Sequence, residues 1–419
     1  LRVGNASGVP FQFNGGLTES SGVRLTVAGS INSANEAISL GAVTLDANTT
    51  IDTNATNTTG DLTIGAVTGG SNTLTLSTEN NIANADITAS GAISGVTTLT
   101  ISNAGGTATL SGDVDVTTLT VGNTVANVAI NGDGSTVSND IDFANDGTLT
   151  LGASGGTQTY NGGLDTSGVG STVTLNGTIA TSNDAVTFGA VTLGSATTID
   201  TNASNTTGDI AIGAVTGGSN NLTLTTGDNV ANSDITASGA ISGLGNLTLA
   251  DVGGTATFSA NVAAAALSAD STVANLVFTG ASNTFSAAST LANDGTLQFG
   301  DATGDSFTFN GGLTTSDVGG TVTLNTSIST SNDALVFGAI TLGNNITLDT
   351  NATNTTGDLT IGAVTGGSNT LTLTTENNIA NADITASGAI SGVTTLTLTS
   401  VGGTATLSGD VDVTTLAVG

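Results

Sequence analysis

The stretch Thr53–Leu76, TNATNTTGDLTIGAVTGGSNTLTL, returns unchanged as Thr350–Leu373, and an edited copy fills Thr201–Leu224. The copies start 148 and 149 residues apart, so the chain is one long unit met almost three times. Aligning Leu1, Leu149 and Leu297 divides it into repeats 1–148, 149–296 and an incomplete 297–419. The marker FNGGL at Phe13–Leu17 follows the same division, returning as Tyr160–Leu164 and Phe309–Leu313. A shorter cycle runs inside each unit: Gly41, Gly65, Gly91 and Gly112 open GAVTL, GAVTG, GAISG and GDVDV at spacings of 24, 26 and 21 residues. A cycle of that size is one coil of a solenoid whose neighbouring coils cover each other's apolar face.

Within a coil the apolar residues alternate with polar ones, as in Asp61-Leu62-Thr63-Ile64 and Asn72-Thr73-Leu74-Thr75-Leu76. Period two makes these strands, with Leu62, Ile64, Leu74 and Leu76 inward and the threonines outward. Gly, Asn, Asp and Ser fill the breaks, as tight corners require. Sixty Gly and a single Pro suit an unbroken ladder, because Pro removes a ladder hydrogen bond. No stretch keeps helical spacing, and Val262–Leu267 reads as a strand because its counterparts are Val114-Asp115-Val116 and Val411-Asp412-Val413. The expected fold is all-β: one continuous right-handed parallel β-helix of about 17 coils, roughly six per long repeat. With aromatic residues at 3%, Val, Ile, Leu and Ala must supply nearly all of a thin core.

The net charge is −30, and the only cations are Arg2 and Arg24. Without a cluster of Lys or Arg there is nothing to neutralise phosphates, so nucleic acid is excluded as a partner and anionic lipid is disfavoured. No run is long enough to insert into a membrane. Cys and His are both absent, which removes thiol nucleophiles, Ser-His-Asp triads and the preferred zinc ligands. The acids are the remaining candidates for chemistry. Asp113 and Asp115, and again Asp410 and Asp412, stand at i and i+2 and would share a strand face. They are weak candidates for a metal, since Asn261 and Ala263 replace them in the second repeat and no EF-hand or GGxGxD pattern occurs. No cofactor is expected, and calcium would act by diffuse screening of the charge.

Tripeptides Thr107-Ala108-Thr109, Thr255-Ala256-Thr257 and Thr404-Ala405-Thr406 come once per long repeat. An ice-binding solenoid needs threonine ranks on every coil, so that reading stays minor. Sequons lie in the clusters Asn54–Thr59 and Asn351–Thr356, expected on surface corners.

Coils built on GAVTG, LTL and GAISG, set in long near-identical repeats without Cys, resemble the β-strand-repeat giant surface proteins of bacteria and filamentous-haemagglutinin-like and autotransporter-passenger adhesins. The resemblance implies a β-helix at the cell surface, part of an extracellular filament or fibre and non-catalytic, with cell-surface glycans among the partners. An adhesin stalk and a polysaccharide-processing β-helix enzyme are the alternatives. Thr53–Gly122 and Thr350–Gly419 differ at six positions, while the middle copy departs further, so two repeat types would alternate with a super-repeat near 297 residues. Leu1 and Gly419 both fall inside the repeating pattern. This predicts a window on a longer chain, or copies that associate head to tail or bundle laterally.

Overall fold

The computed structural model describes residues 1–5, 9–19, 22, 24–57, 60–205, 208–228, 230–353, 357–377 and 379–419. Among them every element is a strand or a connection, with no helix. The strands pair in parallel and stack as a β-solenoid of about 19 turns. Two compact units are present, Leu1–Asn202 and Ala203–Gly419.

Each coil carries three short strands. In the first unit Leu62–Ile64, Val67–Thr68 and Leu74–Ser77 make one coil, and the next begins at Ile87–Ala89 directly over Leu62–Ile64. Alternation does what the sequence asks: Leu62, Ile64, Leu74 and Leu76 are fully buried, while Thr63 and Thr75 between them point outward. Val262–Ala269 is a strand despite its four alanines. The glycines Gly41, Gly65 and Gly91 form a column at one corner. A Cβ on Gly65 would stand 2.8 Å from the carbonyl carbon of Gly41, and one on Gly91 would stand 2.6 Å from the nitrogen of Ala66. Corners of this kind therefore admit no side chain.

The long repeat and the coil are out of step. From Ile38–Leu40, six successive pairings pass through Leu62, Ile87, Ala108, Val128 and Leu149 to Val173. The sequence counterpart of Ile38–Leu40, however, is Val186–Phe188, two strands further round the coil, paired with Leu164–Asp165 on another face. The second unit shows the same slip independently. Six pairings lead from Ile210–Ile212 to Ile340–Leu342, but the counterpart of Ile210–Ile212 is Leu359–Ile361, two strands later, on the face that includes Leu313 and Leu335. One repeat is thus six and two-thirds turns. The expected six coils per repeat, and 17 overall, came from taking two dozen residues as the coil length. Steps in fact vary from 18 residues (Val173 to Val191) to 26 (Val215 to Ile241).

Candidate functional site

The four candidate carboxylates do not act as pairs. Asp113 lies at a corner just before the strand Val114–Val121, and its Oδ1 accepts the backbone N–H of Gly134 from the next coil at 2.9 Å. In the second repeat Asn261 Oδ1 accepts the N–H of Ser282, the counterpart of Gly134, also at 2.9 Å. A neutral amide therefore does the work of Asp113, and what this position needs is an acceptor, not a charge. Asp115 is on the strand, exposed, between Ser94 and Thr136 of the adjoining coils. Asp412 repeats its place beside Ser391, and Asp410 precedes that strand as Asp113 does. Among the described residues no group of three or more acids is arranged to hold a metal ion.

Other acids and amides cap corners in series. Asp61 Oδ1 accepts the N–H of Asp86 at 3.1 Å, and Asp86 Oδ1 accepts that of Thr107 at 2.7 Å. The chain repeats this with Asp209, Asp234 and Thr255, and with Asp358, Asp383 and Thr404. Asn48, Asn127, Asn221 and Asn275 serve Thr73, Thr148, Asn246 and Thr296 likewise. Each satisfies a backbone donor that the sheet ladder leaves out at a bend. The sequon residues Asn54 and Asn351 donate through Nδ2 to Ser33 O and Thr330 O, both at 2.8 Å. Residues 58–59 and 354–356, which complete those clusters, lie outside the described residues.

Sequence reading missed an acid pair. Burial pushes the Asp52 carboxyl up to about 6, and the neighbouring charge and hydrogen bond of Glu79 raise it further against the lowering effect of the Asn54 N–H and the Ser77 hydroxyl. Asp349, beside Glu376, is raised by burial and then by that glutamate. The partners are 27 residues apart in sequence, one coil and a corner, and no local pattern signals them. Asp140 is also raised, first by burial and then by Asp142, Asp165 and Asp184.

Outward strand positions form hydroxyl ranks that do recur on successive coils, contrary to the expectation drawn from the TAT tripeptides. On one face of the first unit Thr18, Ser39, Thr63, Thr88 and Thr109 stand in register, then Ala129, then Thr150, Thr174 and Thr192. The tripeptides were a poor guide because neighbouring coils supply the rest of each rank from LTI, ITA and LTL strands.

No family model matches the chain, and neither the curated proteins nor the solved structures include a significant match to it.

Proposed function

We propose that this chain is a non-catalytic structural segment of an extracellular filament or cell-surface fibre. The observation that carries the reading is how the acids are used: Asp61, Asp86, Asp113, Asp209, Asp234 and their counterparts accept backbone N–H groups between coils. Groups employed this way hold the stack together and leave little for a reaction. Hydroxyl ranks on the strand faces suit a wetted exterior, and the absence of Cys suits life outside the cell. The right-handed wind belongs to the same proposal, resting on the chirality preference of parallel crossovers. So does lateral bundling driven by divalent cations, which relieve repulsion between chains of charge −30.

The purified chain should leave acidic and neutral glycans unchanged and should bundle in millimolar calcium, as seen by electron microscopy and light scattering. Glycan turnover that disappears when one carboxylate is replaced would overturn the reading in favour of an enzyme. The hydroxyl ranks favour an ice-binding role as a second reading. Doubled ranks such as Thr98/Thr118 beside Thr100/Thr120 reach only a few coils before Asp142 and Asp165 follow, so weak activity at most is expected in an ice-recrystallisation assay.

A further inference from the structure

Each long repeat contains one groove, built by the same defect. The pairing of Ile93–Ile101 with Val114–Val121 slips between Ser94 and Val96, leaving Gly95 as an extra residue with φ 64°, and the strand dents inward there. The dent is a groove of about 270 Å³ whose polar lining includes Ser71, Thr97, Asp115, Thr117, Thr136 and Ser138. The slip recurs between Ile241 and Leu244, with Gly243 at φ 63°, and between Ser391 and Val393, with Gly392 at φ 66°. The third groove, about 400 Å³, is lined by Ser368, Thr394, Asp412 and Thr414, among others. The second, about 410 Å³, carries Leu244 and Ala263–Ala265 where the first carries Val96 and Asp115–Thr117.

Asp115 and Asp412 differ from the corner acids in having no work to do inside the fold. Both are exposed and lie on the groove wall, and neither makes a hydrogen bond or ion pair with another described residue. No Lys or Arg lines either groove. A lone carboxylate amid hydroxyls, on a chain of charge −30, calls for a cation that also brings donors and acceptors of its own. A metal ion finds one carboxylate here, too few for a cage of hard oxygen ligands. The apolar stem of a lysine would meet hydroxyls along its length without matching them. A protonated amino sugar fits both requirements, its ammonium on the aspartate and its ring hydroxyls on the Ser and Thr side chains. The volumes are at the small end of the roughly 300–1,000 Å³ usual for ligand sites, which suits a single ring.

We propose that the bulge grooves of the first and third repeats are binding sites for amino-sugar units of a polysaccharide, with Asp115 and Asp412 as the residues that select the ammonium. The apolar second groove is a different site and does not take that ligand. The proposal concerns binding alone and stands whether or not the chain is a fibre segment.

Calorimetry of the whole chain with a β-1,4-linked glucosamine tetrasaccharide near pH 6 should show two equivalent sites. Asp115→Asn with Asp412→Asn should weaken binding by about tenfold or more, the loss of charge-assisted hydrogen bonds at each site. Asp146→Asn with Asp294→Asn changes the charge equally at exposed positions outside the grooves and should leave binding intact. Ala263→Asp with Ala265→Thr should add a third site. Equal weakening by the two double asparagine variants would show attraction to overall charge alone and overturn the proposal. Binding of the fully N-acetylated tetrasaccharide, or of tetralysine, as tight as that of the amine would overturn it as well.

Discussion

Two stretches of matching sequence, residues 110–160 in the first unit and 258–309 in the second, fill the same places in the coil with different side chains. Where the first has Leu110, Ile130, Val137, Leu151, Gln158 and Tyr160, the second has Phe258, Phe278, Phe285, Phe299, Phe307 and Phe309, all buried. The phenylalanines stack down the interior, Phe258 on Phe278 with ring centres 4.9 Å apart and Phe285 on Phe309 at 4.8 Å. The backbone does not widen to make room. Instead the same coils shrink elsewhere: Val116 becomes Ala264, Val121 becomes Ala269 and Ile141 becomes Ser289, each also buried. A coil closed on itself and clamped by its neighbours has a fixed cross-section, so the sum of side-chain volumes is held while the individual residues are free to trade.

The strongest break of that balance is Phe278→Ala. Its ring meets Phe258, Phe299 and Phe307, and its removal should cost about 3–5 kcal/mol, read as a lower urea midpoint for the second unit. The sharper form is Phe258→Leu with Ala264→Val and Ala269→Val, which rebuilds the first unit's coil and should cost less than about 1.5 kcal/mol. Should the triple variant be no better than Phe258→Leu alone, volume trading is not what relates the two stretches.

Next in size is Tyr160→Phe. Tyr160 OH donates to Gln158 Oε1 at 2.9 Å, and Gln158 Nε2 donates to Ile130 O at 2.7 Å and Gly132 O at 3.0 Å. Removing the hydroxyl orphans a buried amide oxygen and should cost about 1–3 kcal/mol. Adding Gln158→Phe, which gives the second unit's pair, should recover part of the loss in the same melts. A double variant worse than the single would mean that the aromatic pair depends on its own surroundings.

The acid pairs Asp52–Glu79 and Asp349–Glu376 are a feature the two units share, and they predict a pH effect of definite sign. A folded-state pKa of about 6 lies above the ordinary 3.8, so the folded chain holds that proton more tightly than the unfolded one. The stabilisation is complete below about 3.8 and is lost as pH rises through about 6. Melting temperatures between pH 5 and pH 7.5 should therefore fall less in Glu79→Gln with Glu376→Gln than in the parent. Identical pH profiles would remove the pairs from the account.

The smallest effects belong to Asp113. Replacing it with Ala strips an acceptor from Gly134 N–H and should cost about 1 kcal/mol, whereas Asp113→Asn should be nearly silent, as Asn261 already shows in the other unit. A marked loss with Asn would restore a role for the charge.

The strands, the inward Leu and Ile and the column at Gly41, Gly65 and Gly91 were legible because period two and a Gly-led corner act locally. The phase between repeat and coil was not, since it is fixed by accumulated corner lengths that alignment of the copies ignores. The corner acids were visible as residues but not as acceptors. Asp61 and Asp86 look like any solvated carboxylates until the next coil sets a free N–H beside them. The acid pair and the grooves depend on which coil lies beneath which, information that no single stretch of sequence holds.

The two-thirds of a turn left over in each repeat also bears on how such a chain evolves. When a repeat is copied in tandem, its motifs arrive on a different side of the coil from their parents, as Ile38–Leu40 and Val186–Phe188 do. Duplication then opens a fresh patch instead of lengthening an old one. Selection for a single broad face would have to work against every copying event, whereas selection for the same small feature looking out in several directions is met by copying alone.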